Sequence, residues 1–138
     1  LEGEGRTYWE DWWAFISNHL GDNGWISEED LSLLHNASSP EDACSHIRQF
    51  YRRYHSARYV GATYVIRLKS PLTQTQVTSL NETYGDLVDG GTMKLCGALQ
   101  GETDHLDLPR LAFVHTRRGW GRMRELIDAI NQLPEETA

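Results

Sequence analysis

Tyr64-Val65-Ile66-Arg67-Leu68-Lys69-Ser70-Pro71-Leu72-Thr73-Gln74-Thr75-Gln76-Val77 changes its period halfway along. The first part alternates, which puts Tyr64, Ile66 and Leu68 on one side of a strand and Val65 and Arg67 on the other. Pro71 ends the strand. Thr73 with Gln76 then has the capping-box pattern, and Val77, Leu80, Tyr84 and Leu87 continue at helical spacing. Working outward toward the C-terminus, Asp89-Gly90-Gly91 predicts a turn, Met93 to Ala98 a strand, and Gln100 to Pro109 a polar loop. Leu111, Phe113 and His115 alternate in a further strand before Gly119, and Met123, Leu126, Ile127 and Ile130 build a terminal helix. From Arg58 onward the expected order is therefore strand, helix, strand, strand, helix. An α+β fold follows, with helices on one face of a small, mainly antiparallel sheet in ferredoxin-like or ACT-like style and no obvious last strand.

Upstream of the alternating stretch the pattern is helical. Thr7 and Glu10 form a capping-box signature, and Trp9, Trp12, Trp13, Ile16 and Leu20 predict a helix from Tyr8 to Leu20 whose tryptophans belong in a core. Gly21-Asp22-Asn23-Gly24 stops it, and Ser27 caps a short helix ending near Leu34. Ser39-Pro40 with Glu41 and Asp42 starts another helix, which Ala43, Ile47, Phe50, Tyr51 and Tyr54 carry to about Tyr54. Pro134 to Ala138 reads as a frayed tail.

Charge is segregated along the chain. There are 20 acidic residues against 13 Lys and Arg, a net charge of −7, yet no Asp or Glu stands between Ala43 and Asn81. At the centre of that stretch lies Phe50-Tyr51-Arg52-Arg53-Tyr54-His55-Ser56-Ala57-Arg58-Tyr59. Forked donors, phenols and flat rings suit a phosphate or nucleotide, so Arg52, Tyr54, His55, Arg58 and Tyr59 are the candidate anion-binding residues. Equally, the tyrosines could pack while the arginines are solvated, paired, or complementing a helix dipole. Only Lys69 and Lys94 are lysines, an arginine bias that base composition could also produce.

Other motifs carry less. Asp89-Gly90-Gly91-Thr92 sits between helix and strand, the reverse of a phosphate-cradling loop. The six histidines lack metal-ligand spacing, Asp104-His105-Leu106-Asp107 is a polar loop cluster, and Cys44 and Cys96 stand alone without a disulfide or zinc pattern. Arg117-Arg118-Gly119-Trp120 places positive charge at a turn. No serine or cysteine lies in an activating sequence, so no catalytic residue, metal or cofactor is assigned. No apolar run is long enough to span a bilayer and no signal-peptide pattern opens the chain, so the expected compartment is the cytoplasm. The net charge argues against a nucleic-acid partner. A length of 138 residues fits one domain, or a small domain plus a fragment, and the glycine-rich lead before Arg6 suggests an excised piece.

Three segments together, Thr7 to Ile16, Gly24 to Leu31 and Phe50 to Gly61, resemble the C-terminal part of long bacterial LONELY GUY (LOG)-like proteins. Leu108-Pro109-Arg110-Leu111, Arg117-Arg118 and Gly121 to Asn131 continue the resemblance over nearly the whole chain. These are Rossmann-fold nucleotide-binding proteins, often labelled lysine decarboxylases, some of which are nucleoside 5′-monophosphate phosphoribohydrolases. The resemblance implies that residues 1–36 are the terminal helices of a Rossmann-like nucleotide domain and residues 37–138 an appended α+β module. The family's Pro-Gly-Gly-x-Gly-Thr-x-x-Glu signature is absent, as is any pyridoxal phosphate lysine motif. This chain is therefore expected to support a nucleotide domain, the subunit interface of a homo-oligomer, or an anion, rather than to catalyse. A stand-alone ACT-like sensing module, or an interaction module, is the competing expectation.

Overall fold

The computed structural model describes residues 8–135. Thr7, the proposed cap of the first helix, lies outside the described residues, as do the last three residues of the expected tail. The fold is α+β, with one four-stranded antiparallel sheet in the order β1-β2-β4-β3. Its strands are β1 (Tyr54–Val60), β2 (Thr63–Leu68), β3 (Lys94–Cys96) and β4 (Arg110–Val114). The helices are α1 (Tyr8–Phe15), α2 (Pro40–Phe50), α3 (Gln74–Tyr84) and α4 (Trp120–Gln132).

The alternation in β2 does what the sequence pattern requires. Tyr64, Ile66 and Leu68 face the helices and join Leu111 and Phe113 of β4, Val77 and Leu80 of α3, and Met123, Leu126, Ile127 and Ile130 of α4 in one buried cluster. Such burial, at about 1.5–3 kcal/mol for each large side chain, is the main force holding sheet to helices. The capping box at the start of α3 forms as expected, Thr73 Oγ1 accepting from the Gln76 amide and Gln76 Oε1 from the Thr73 amide. Gly90 and Gly91 take φ of 79° and 80°, which the predicted turn needs.

Several boundaries move. The helix expected to reach Tyr54 ends at Phe50, and the residues that follow form a strand. β1 pairs with β2 through a two-residue loop in which Gly61 has φ of 60°, the left-handed backbone that tight hairpins select. The order from Tyr54 is thus strand, strand, helix, strand, strand, helix. A buried side chain makes this turn: Asn131 Oδ1 accepts from the amides of Arg53 and Tyr54 at 2.8 and 2.9 Å, and its Nδ2 donates to the Phe50 carbonyl. Three backbone groups released at the end of α2 are satisfied by one amide from α4, a contact invisible to local periodicity. β3 is also shorter than Met93 to Ala98. Asn81 of α3 brackets the Met93 amide and carbonyl instead, holding that residue off the ladder. α3 stops at Tyr84 and Gly85–Leu87 continues as a 3₁₀ turn. Pro134 is anchored, its carbonyl accepting from Gln76 and Arg53.

The N-terminal layer is built differently. α1 passes into a π-helical turn over Ile16–Gly21, and a 3₁₀ helix spans Glu28–Leu33 behind a capping box of Ser27 and Asp30. None of these elements contains a fully buried residue, so the tryptophans expected in a core are only half-covered or exposed. The layer reaches the sheet module through the 3₁₀ helix, which lies on α4 so closely that a Cβ at Gly121 would stand 2.2 Å from the Glu29 carbonyl oxygen. Ser32 Oγ donates to the Gly121 carbonyl at the same place. Among the described residues no helix is long and apolar enough to cross a membrane.

Candidate functional site

The five candidate residues do not form one cluster. Arg52 is exposed on the turn between α2 and β1. Its neighbour Arg53 is buried, and its guanidinium donates to the carbonyls of Ser70, Pro71 and Pro134. One of the two adjacent arginines is thereby consumed in tying strand, loop and C-terminus together. Tyr54 and Tyr59 lie toward the helices and pack against the core cluster; burial, then Tyr51, raises the Tyr54 hydroxyl above the usual phenol range. Arg58 is exposed on the opposite face, where its Nη1 meets Asp104 Oδ1 at 3.1 Å.

His55 occupies a β-bulge. The register of β1 against β2 slips between Tyr54 and Ser56, and an extra residue in a strand lets two consecutive side chains share a face. His55 Nδ1 and Ser56 Oγ are accordingly 2.9 Å apart. Ser56 is opposite Arg67 in the ladder, so both project from the sheet face that the helices leave uncovered.

Residues 97–109 cover part of that outer face. Arg67 of β2 and Arg110 of β4 are buried there with Glu102, which accepts from Arg67 Nη2 at 2.7 Å and from Arg110 Nε at 2.8 Å. The Leu99 amide also donates to Glu102, and Asp104 takes a second pair of bonds from Arg67. Burial opposes the charge on Glu102, but Arg110, the Leu99 amide and Arg67 outweigh it and hold the carboxyl down to about 2. Arg110 additionally donates to the carbonyls of Leu108 and His105. That last bond fixes His105, whose φ of 52° is left-handed, with its ring 4.4 Å from that of His55. Burial, the His105 ring and the charges of Lys69 and Arg67 lower the His55 pKa, while Asp107 raises it.

Two further histidine sites are assembled only in three dimensions. His115 is buried between Tyr59, Tyr64, Phe113 and Trp120. Its Nε2 lies 3.1 Å from the Arg118 carbonyl and must donate to it, so Nδ1, 2.9 Å from the Tyr59 hydroxyl, is the acceptor in the neutral ring. Burial lowers its pKa, and the nearby Arg117 adds to the effect. His35 and His46 stack face to face at 3.9 Å, with Arg124 donating to His46 Nε2 at 3.0 Å and Asp42 beside His35. Burial and then the His35 and Arg124 charges lower the His46 pKa. This pair adjoins a cleft of about 350 Å³ lined by Trp9, Trp12, Trp13, Leu34, His35 and Ala43.

Chemically, the outer face offers the hydrogen-bond donors of Arg58, Arg67 and Lys69 beside the His55–Ser56 pair. No group of three or more metal-ligating side chains is found among the described residues. Sequence reasoning passed over Glu102, took His105 only as part of the polar Asp104–Asp107 cluster and Arg110 only as part of the resemblance, since Gln100 to Pro109 reads as loop. Alternation in β2 puts Arg67 on the side away from Tyr64, Ile66 and Leu68, which reads as solvent-facing, and its burial, with the need for an acidic partner, emerges only in the structure. Compared with known protein families, curated proteins and solved structures, the chain matches none.

Proposed function

We propose that this chain is the C-terminal portion of a LOG-like, Rossmann-type nucleotide-binding protein and that it works as a supporting module rather than as a catalyst. The observation that carries the reading is the contrast in burial between its two layers. β2, β4, α3 and α4 enclose a core of their own, whereas α1, the π turn and the 3₁₀ helix bury nothing fully, and Tyr8, Phe15 and, in the loop before the 3₁₀ helix, Trp25 stand at 62%, 52% and 77% exposure. Apolar surface of this kind, next to an autonomous core, suits a layer whose other side packs on a further domain. The strand order also supports a ferredoxin-like layout for the module: β2-α3-β3-β4-α4 supplies the split βαβ frame, and β1, from the front of the chain, lies beside β2 where a last strand would lie. Anion contact from the outer face is the second part of the proposed role, in a cytoplasmic homo-oligomer.

Sedimentation analysis and a phosphoribohydrolase assay of this chain test the reading. Self-association that falls on replacing Phe15 and Trp25 with serine, together with no release of base from nucleoside 5′-monophosphates, is the expected result. A monomer indifferent to those substitutions removes the docking role, and base release by the chain alone removes the non-catalytic one.

A further inference from the structure

We propose that the outer face of the β1–β2 hairpin, at its bulge, is a phosphate-class anion site in which the rings of His55 and His105, the ammonium of Lys69 and the hydroxyl of Ser56 supply the hydrogen bonds. This deepens the anion-binding part of the function proposed above and does not depend on how α1 docks. Two features point to the place. The bulge brings His55 and Ser56 to one face, and bulges recur where a strand re-aims a side chain beside a functional site. His105 is one of only two non-glycine residues with positive φ among the described residues, a conformation that persists only where the surroundings enforce it. What enforces it is the buried network, Arg110 bonding the His105 carbonyl while Glu102 fixes Arg110. A left-handed residue held by a buried arginine so that two imidazoles meet is a preorganised arrangement, and it uses ring nitrogens from segments far apart in sequence.

The local charge favours an anion. Around His55 stand His105, Lys69, Arg67 and Asp107, with Arg58 and Asp104 on the same face. Glu102 and Asp104 are engaged by Arg67, Arg110 and Arg58. Lys69 donates to the Tyr51 carbonyl and retains further N–H groups for a ligand. In the free protein burial, and then the neighbouring His105 ring, oppose protonation of His55. A phosphate between the rings supplies a countercharge, so binding draws a proton onto the His55 imidazole. Arg52, exposed on the preceding turn, is outside this set.

The test is a titration of the full chain with inorganic phosphate at constant ionic strength, followed through the imidazole resonances of His55 and His105. Both rings should shift saturably, and the His55 titration midpoint should rise on binding. His105→Asn keeps a residue type that tolerates a left-handed backbone, and it should weaken binding about ten-fold, as should Lys69→Ala, with unchanged thermal stability. Arg52→Ala should bind as the parent does. Loss of binding in Arg52→Ala with none in His105→Asn would move the anion site to the turn and overturn this location alone. Absence of any saturable shift would remove the anion role altogether.

Discussion

The two layers of this protein obey opposite rules of burial. In the sheet module the apolar residues of β2, β4, α3 and α4 meet in one closed cluster, and Ser70 Oγ is the only buried side-chain polar atom without a partner among the described residues. In the N-terminal layer, helices richer in tryptophan bury nothing fully. Aromatic content is therefore no guide to which part is the core. What separates them is whether a second apolar face stands opposite: α3 and α4 have the sheet, while the 3₁₀ helix has only the N-terminal end of α4.

The contrast can be broken most severely at the outer face of the sheet. Glu102→Ala leaves Arg67 and Arg110 buried without their carboxylate, and the module should lose about 3–5 kcal/mol of unfolding free energy in chemical denaturation. The same carboxylate makes the module acid-sensitive. Its folded pKa of about 2 is below the unfolded reference of 4.5, so its contribution is complete above the unfolded value and is lost as pH falls through the folded one, a difference of roughly 3 kcal/mol by linkage. His115 and His46, both lowered by burial, act earlier: the unfolded chain takes up their protons first, so stability should begin to decline as pH drops below the ordinary histidine range near 6.5. Calorimetric melting across acid pH reads both steps, and Glu102→Gln should flatten the lower one.

A smaller effect sharpens the boundary between layers. Gly121→Val drives a side chain into the Glu28–Leu33 backbone at a cost of about 1–3 kcal/mol. Hydrogen exchange should then show protection lost over residues 28–33 and kept over β2, because the core does not depend on the N-terminal layer. Equal loss in both would show that the layers fold as one unit. Smallest of all, Trp25→Ser should change unfolding free energy by less than about 0.5 kcal/mol, while reducing self-association measured by light scattering.

Local pattern made much of this legible. β2, the capped starts of α3 and α2, the Gly90–Gly91 turn and the apolar stripe of α4 all follow from periodicities of two and 3.6 residues and from capping chemistry, forces that act over a few residues. β1 did not follow, because Ala43 to Tyr54 keeps a helical stripe past the point where the helix ends. Asn131, far away in the chain, offers better partners to the Phe50 carbonyl and the Arg53 and Tyr54 amides than another helical turn would. Of the candidate anion-binding residues, His55 lies beside the new partners His105 and Lys69, Arg58 shares the outer face with Asp104, and the two tyrosines turn toward the core.

The sequence by itself determined that this is an α+β chain with its positive charge concentrated before and within its first strands, since composition and periodicity are properties of neighbours. Only the tertiary structure decided that Arg53 is buried while Arg52 is exposed, that Glu102 and Arg110 lock a loop across the sheet, and that His105 meets His55. Those outcomes depend on which groups lose water together and which distant partner then satisfies them, and local periodicity carries no record of such pairings.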